Sequence, residues 1–285
     1  MNCFICHTKM EDYFTKRYGE RTHYFIKCPE CGLVVNQTVY GMKGEEWEIE
    51  NNYHKKSQGK VDSNNPIWSN RIERLKPQAE LIAKLYEKGI FSPDSKAVDY
   101  GGGDGLFSEM VDQALYVSDN FRPTVGIYEK YLRIPGKVGY YDDSEMTPRS
   151  FDVVISSAVL EHMIGMEDID TYFKLVNESG TVVIHTLICE EVPKDPDWFY
   201  IRKPVHCTLW TNEAMRRIYS LYSFKGCAYH LPSKIWLFFK DKEMYKNLIR
   251  KHEEIPGEWT FSDEFVDYWK QKPYHVGEYI DGEEK

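Results

Sequence analysis

No apolar run in these 285 residues approaches the roughly 18–20 residues needed to span a bilayer, so the sequence offers no transmembrane helix. The N-terminus, Met1-Asn2-Cys3-Phe4-Ile5-Cys6, lacks a basic region followed by an apolar stretch and does not read as a secretory signal. The expected compartment is therefore the cytoplasm. Positive charge is also scarce, with 36 Lys and Arg against 45 Asp and Glu, a net of −9. Non-specific grip on nucleic acid comes mainly from basic side chains releasing counterions, so the balance weighs against a nucleic-acid partner. There is no internal repeat and no low-complexity tract.

Cysteine is concentrated where it can hold metal. Cys3/Cys6 and Cys28/Cys31 are two Cys-x-x-Cys pairs separated by 21 residues, the spacing of a tetrahedral thiolate zinc site. Each pair closes a tight knuckle, and Gly32 follows the second. His7 and His23 could substitute for a sulfur but sit at irregular positions. Forty residues bury too little apolar surface to fold alone, so structural zinc is expected to stabilise a ribbon over residues 1–40. Cys189, Cys207 and Cys227 have no partner spacing and read as buried thiols. Aromatics are abundant, with seven Trp and 21 Tyr, and some are expected to line a pocket or interface.

Residues 41–66 are polar and charged, and are expected to form a linker or arm. Apolar positions from Ile67 to Leu85 recur at helical spacing, with Gly89 as the stop. Short strands follow at Ala97–Tyr100, Thr124–Tyr128, Phe151–Ser156 and Gly180–His185, with helix-compatible segments at Phe107–Leu115, Ile169–Val176 and Asn212–Tyr222. This alternation predicts an α/β fold, a doubly wound and mostly parallel sheet, over 67–240. Ile235–Phe239 supplies a late strand. Residues 241–285 are expected to be a charged and aromatic extension with a helix near Met244–His252.

The segment Asp99-x-Gly101-x-Gly103-x-Gly105 lies between a strand and a helix. Glycines there let the backbone approach a ligand, and the helix start offers unpaired amides. The third glycine falls two residues after the second, not three as in a dinucleotide fingerprint. The acid ahead of the loop suits a cationic amino group rather than a pyrophosphate. Glu129, after the second strand, can accept two ribose hydroxyls. The stretch Ser150-Phe151-Asp152-Val153-Val154-Ile155-Ser156-Ser157-Ala158-Val159-Leu160-Glu161-His162 is very similar to the fourth-strand signature of class I methyltransferases, and the resemblance spans roughly Ala97 to Lys240. It implies a Rossmann-like domain that uses S-adenosylmethionine. On that resemblance Asp99 holds the methionyl amino group and Glu129 the ribose, with Gly101, Gly103, Gly105 and Ser157 as further cofactor contacts. Asp142 would accept from the adenine amino group. One departure stands out: the family's second-strand acid comes two residues after the glycine, where this chain has Tyr128, and Glu129 follows it.

The acceptor end is less defined by sequence. In this fold His162 faces the reactive end of the cofactor, and His206 resembles a loop histidine found after strand five in many family members. Either could be the general base for a hydroxyl, or could simply hold its loop; Glu161 could bind a substrate hydroxyl or cap the turn. His185, at a strand end, reads as buried. Trp198 and Tyr200, in Asp197-Trp198-Phe199-Tyr200, could stack on a sugar or base, or pack the loop down. The ribbon followed by this domain resembles a subgroup of small-molecule and glycan methyltransferases, so O-methylation of a sugar, nucleotide sugar or glycan is expected. The alternatives are an RNA methyltransferase using the ribbon as a grip, which the charge and the missing Asn-Pro-Pro-Tyr motif weigh against, and a non-catalytic ligand-binding scaffold.

Overall fold

The computed structural model describes residues 1–267 apart from 41, 43, 48, 50–65, 117–122, 132 and 203. Its elements run β1 (Glu11–Tyr18), β2 (Arg21–Lys27), β3 (Val34–Asn36), α1 (Gln37–Tyr40), α2 (Pro66–Glu87), β4 (Ala97–Tyr100), α3 (Leu106–Ala114) and β5 (Gly126–Tyr128). There follow β6 (Phe151–Ser157), α4 (Met166–Lys174), β7 (Val176–His185), β8 (Ile188–Cys189), β9 (Thr208–Thr211) and α5 (Asn212–Leu221). The last described elements are β10 (Gly226–His230), β11 (Ile235–Phe239), α6 (Lys242–Lys251) and β12 (Trp259–Ser262).

The main sheet has the order β12-β10-β11-β7-β6-β4-β5. β5, β4, β6 and β7 are parallel, whereas β11, β10 and β12 join antiparallel. Its strands are apolar on both sides, as a sheet covered on both faces requires. Alternate side chains feed two cores. Ala97, Val153, Ile155, Val183, Leu237 and Phe239 meet α2, α3 and α6 through Leu75, Ile82, Phe107, Val111, Tyr245 and Leu248. Val98, Val154, Val182, Ile184, Trp236 and Phe238 meet α4 and α5 through Ile169, Tyr172, Met215 and Ile218. The fold is therefore the expected doubly wound α/β sheet. α2 ends in a glycine cap: Gly89 has φ 63, and the amides of Gly89 and Ile90 donate to the carbonyls of Tyr86 and Leu85 at 3.0 and 2.9 Å, the Schellman pattern.

Two expected boundaries move. The first forty residues are not a free-standing module, because β3 pairs with β9 in a second sheet ordered β1-β2-β3-β9-β8. Cys3, Ile26, Leu33 and Cys31 belong to the same core cluster as Trp210 and Met215. The main domain also continues past 240, since α6 and β12 complete its sheet and core. The arm expected over 41–66 lies largely outside the described residues, as do positions 268–285 of the extension. The described Trp47 packs against Val39, Val205 and Cys207.

Candidate active site

In open α/β sheets the ligand crevice forms at the carboxyl ends of parallel strands, where the strand order reverses. Here the chain leaves β4 outward to β5 and returns to β6 on β4's other side. Asp99, the penultimate residue of β4, is 3% exposed and lies beneath the glycine loop. A Cβ on Gly102 would fall 2.6 Å from Asp99 Oδ2 and 2.9 Å from Ile127 Cγ2, so the loop can only close over the carboxylate as glycine. Gly105 has φ 76, and a Cβ there would meet Ile127 Cδ1 at 2.4 Å. The amides of Gly101 and Gly102 both donate to the Tyr128 carbonyl, at 2.8 and 3.1 Å, tying the loop to the end of β5.

Glu129 follows β5 and is buried. Its Oε2 accepts from the Gly103 amide at 3.1 Å and its Oε1 from the Tyr131 amide at 2.8 Å. These two bonds hold the Glu129 carboxylate against the glycine loop although it stands one residue later than the family's usual acid. Arg133 bridges the rim: it donates to the Glu129 carbonyl at 3.0 Å and to Asp142 Oδ1 at 2.8 Å. Asp142 is exposed, and with Glu145 it caps a 3₁₀ turn. The Tyr140 hydroxyl donates to the Gly103 carbonyl at 2.6 Å.

Burial pushes the Asp99 carboxyl up to about 7, with Glu129 and Asp104 adding to the shift and Arg71 and Arg74 opposing it. Burial also works against ionisation of Asp104, but a two-pronged contact with Arg71, at 2.7 and 2.6 Å, outweighs it and holds that carboxyl below its ordinary value. Arg71, Arg74 and Gln78 come from α2, an element the sequence reading assigned no role in the site. The available signal was three long polar side chains at i, i+3 and i+7, which share one face of the helix. Ser157 joins them: its hydroxyl donates to Gln78 Oε1 at 2.7 Å and accepts from Arg74 at 3.1 Å. Gln78 Nε2 is buried with no hydrogen-bond partner among the described residues, leaving a donor for a polar ligand group.

The second group of candidate residues is carried by the turn after β6. Ala158 has φ 60, a left-handed conformation that a non-glycine residue keeps only when its surroundings impose it, commonly at functional sites. The turn then brings Val159 against Gly101, whose Cβ would lie 2.8 Å from Val159 Cγ2, and projects Glu161 and His162. The Cys207 amide donates to the Glu161 carbonyl at 2.8 Å, which draws in the segment bearing His206. The His162 and His206 rings meet edge to face at 5.0 Å, and Tyr200 lies 4.6 Å from the His206 ring. Thr186, a further residue the sequence reading missed, donates to Glu161 Oε2 at 3.0 Å.

Other candidates are placed elsewhere. Trp198 is 9% exposed and belongs to a core cluster with Phe25, Val34 and Cys189; as a correction, its ring packs the loop down instead of offering a stacking face. Tyr200 stays at the site, its hydroxyl accepting from the Leu187 amide at 3.4 Å. His185 is buried with Nδ1 against the Lys234 carbonyl at 2.9 Å; burial, helped by Arg74, pushes its pKa down to about 4, so it stays neutral. At the other candidate centre, the sulfurs of Cys3, Cys6, Cys28 and Cys31 lie within 4.8 Å of one another. The Cys3–Cys31, Cys6–Cys28 and Cys6–Cys31 separations are 3.7, 3.3 and 3.9 Å. A tetrahedral ion with Zn–S bonds of ~2.3 Å sets sulfurs about 3.8 Å apart, so the four could hold one such ion.

The fold is a doubly wound α/β sheet with a buried carboxylate under a glycine loop at one strand end and a Glu-His-His cluster at the next. A family model described as a methyltransferase domain matches residues 67–226, more than half of the chain, and the chain belongs to that family. It is a class I S-adenosylmethionine-dependent methyltransferase. No similar sequence was found among the curated proteins. Among solved structures, the chain is similar to magnesium protoporphyrin IX methyltransferase from Synechocystis (14% identity, 67% of this chain and 94% of that one, TM-score 0.41). It is similar at the same level to an O-methyltransferase family protein from Burkholderia thailandensis (15%, 60% and 57%, TM-score 0.41). A phosphoethanolamine N-methyltransferase from Haemonchus contortus matches at 13% identity over 85% of this chain and 60% of that one, with TM-score 0.43.

Proposed function

We propose that the protein transfers a methyl group from S-adenosylmethionine to a hydroxyl of a sugar, nucleotide sugar or glycan. The observation that carries this is the placing of two groups at neighbouring strand ends: a buried carboxylate under a glycine cradle, and a Glu-His-His cluster next to it across the Gly101–Val159 contact. The cradle fits the cofactor, since any side chain at Gly102 would occupy the space over Asp99. When bound, the cofactor's sulfonium supplies an electrophilic methyl group. In this reading Asp99 accepts from the methionyl ammonium, Glu129 accepts from the ribose hydroxyls, and Asp142 takes the adenine amino group at the rim. Ser157 braces α2 against the end of β6. Glu161, His162 and His206 handle the acceptor hydroxyl, with Tyr200 behind them. The acceptor class rests on the resemblance to ribbon-bearing sugar and glycan methyltransferases. Zinc at the four cysteines, in this reading, is structural and braces the sheet that carries the His206 segment.

Incubation with S-adenosylmethionine and a panel of sugars, nucleotide sugars and glycans should release S-adenosylhomocysteine and give a new O-methyl resonance in the product. Turnover only with amine or carbon acceptors would reject the acceptor class. A chain with no calorimetric affinity for S-adenosylhomocysteine would reject the reading as a whole.

A further inference from the structure

The cluster beside the cofactor cradle contains the donor set of a cation site. One carboxylate oxygen of Glu161 and one ring nitrogen each from His162 and His206 lie within 4.8 Å of one another. A cation bonded at about 2.0–2.2 Å draws neighbouring ligands to about 3 Å apart, so side-chain rotations of an ångström or two close the set. We propose that Glu161, His162 and His206 bind one divalent cation of the first transition row, which takes the acceptor oxygen as a further ligand. The inference rests on the functional reading above only for the location of the acceptor.

Three observations support it. First, His206 Nδ1 contacts the Tyr200 carbonyl. A carbonyl can only accept, so Nδ1 carries the proton and the lone pair is on Nε2; ligating histidines are regularly oriented by such a bond. Second, Glu161 is 1% exposed, and its carboxylate is held by the Thr186 hydroxyl at 3.0 Å. Among the described residues no lysine or arginine forms an ion pair with it, and coordination of a metal ion is one of the ways a buried carboxylate is stabilised. Third, the backbone fixes the two halves together through the Cys207–Glu161 bond at 2.8 Å, and Ala158 is held at φ 60 just ahead of the turn. Two imidazoles and one carboxylate suit a cation of intermediate hardness and leave other coordination positions for substrate and water.

The site explains how a hydroxyl is activated without a dedicated base. A bound divalent cation makes a coordinated hydroxyl more acidic. The hydroxyl proton passes to water, the oxygen lone pair forms the new O–C bond to the methyl carbon, and the C–S bonding pair returns to sulfur, giving the neutral thioether. The two histidines then serve as ligands, a role apart from the general base or loop support that the sequence left open.

Mn2+ is the probe, because thiolate sites favour softer ions and the ribbon would not compete for it. Electron paramagnetic resonance of the full chain should show one bound Mn2+, with spin-echo coupling to imidazole nitrogen. Glu161→Gln and His206→Gln should each weaken Mn2+ at least tenfold, and His162→Gln should remove part of the nitrogen coupling. Methyl transfer abolished by a chelator should return on adding Mn2+. Calorimetry with S-adenosylhomocysteine checks that each variant is folded and tests the functional reading separately. Mn2+ that fails to bind, binds equally in wild type and all three variants, or shows no imidazole coupling overturns the site even if S-adenosylhomocysteine binds normally.

Discussion

Affinity for S-adenosylhomocysteine should report the titration of Asp99. In the free protein this carboxyl is pushed up to about 7, chiefly by burial, so near neutrality a large share of molecules carry it protonated. A ligand ammonium facing it requires the ionised form, and binding below pH 7 must expel the proton. The affinity constant then falls about tenfold for each unit below 7 and levels off above it. Between pH 7.5 and pH 5.5 the loss is about 25-fold, or ~1.9 kcal/mol. Calorimetry in buffers of different ionisation enthalpy should show close to one proton released per ligand at pH 5.5, and about a quarter of a proton at pH 7.5. Asp99→Asn should flatten the profile and weaken binding at pH 7.5 by about 2–3 kcal/mol, the cost of losing one side of a charge-assisted pair. The same shift has a stability consequence. The folded pKa lies above the ordinary 3.8, so the group's contribution is complete below 3.8 and is lost as pH rises through 7, by at most about 4 kcal/mol. Ligand-free Asp99→Asn should therefore melt at a higher temperature than wild type at pH 8. A wild-type affinity that does not vary from pH 5.5 to 7.5, or the same slope persisting in Asp99→Asn, refutes the reasoning.

Gly102→Ala places a methyl group 2.6 Å from Asp99 Oδ2, and the strain is expected to cost about 1–3 kcal/mol; a melt unchanged from wild type, with unchanged S-adenosylhomocysteine affinity, would count against the cradle. Cys28→Ser should bind less than one zinc by metal analysis and lose turnover at nearly constant cofactor affinity, because Thr211 Oγ1 donates to the Cys31 carbonyl and β3 pairs with β9 just beyond His206. Wild-type turnover in that variant would mean the ribbon is energetically separate. Trp198→Ala should destabilise by about 3–5 kcal/mol, as emptying a packed aromatic site does, while S-adenosylhomocysteine affinity in the folded protein stays constant; the reverse pattern would return Trp198 to the substrate surface.

Much of the strand–loop–helix around Asp99 was legible because its signals are local. Asp99, the glycines and the following helix start lie within a few residues, and each has a backbone reason to be there. The Ser150–His162 stretch is likewise one strand and its turn. The Glu-His-His cluster was legible only as a set of alternatives. Glu161 and His162 are adjacent in sequence, but His206 joins them through a backbone bond across 46 residues, and Thr186 and Tyr200 arrive from other loops. Trp198 shows the limit from the other side: an aromatic in a loop can face ligand or core, and composition does not distinguish them. Unlike Ile235–Phe239, the short strands β10 and β12 present no unbroken apolar run, and their neighbours in the sheet decide their state.

The sequence by itself determined the class of fold, the glycine loop that follows β4 and the four-thiol set at the N-terminus. In each case the constraint lies in chain chemistry: alternation of apolar runs, glycines where a Cβ would collide, and thiols at knuckle spacing. Tertiary structure alone decided that the ribbon is part of the enzyme and not an appendage, since β3 finds its partner in β9 some 170 residues away. It alone brought α2's Arg71, Arg74 and Gln78 over the strand ends and set Asp99's charge by burying it among them. It alone gathered Glu161, His162 and His206 into one donor set. Burial, electrostatic field and ligand geometry depend on through-space distance, and a linear order of residues does not specify that distance until the chain has packed.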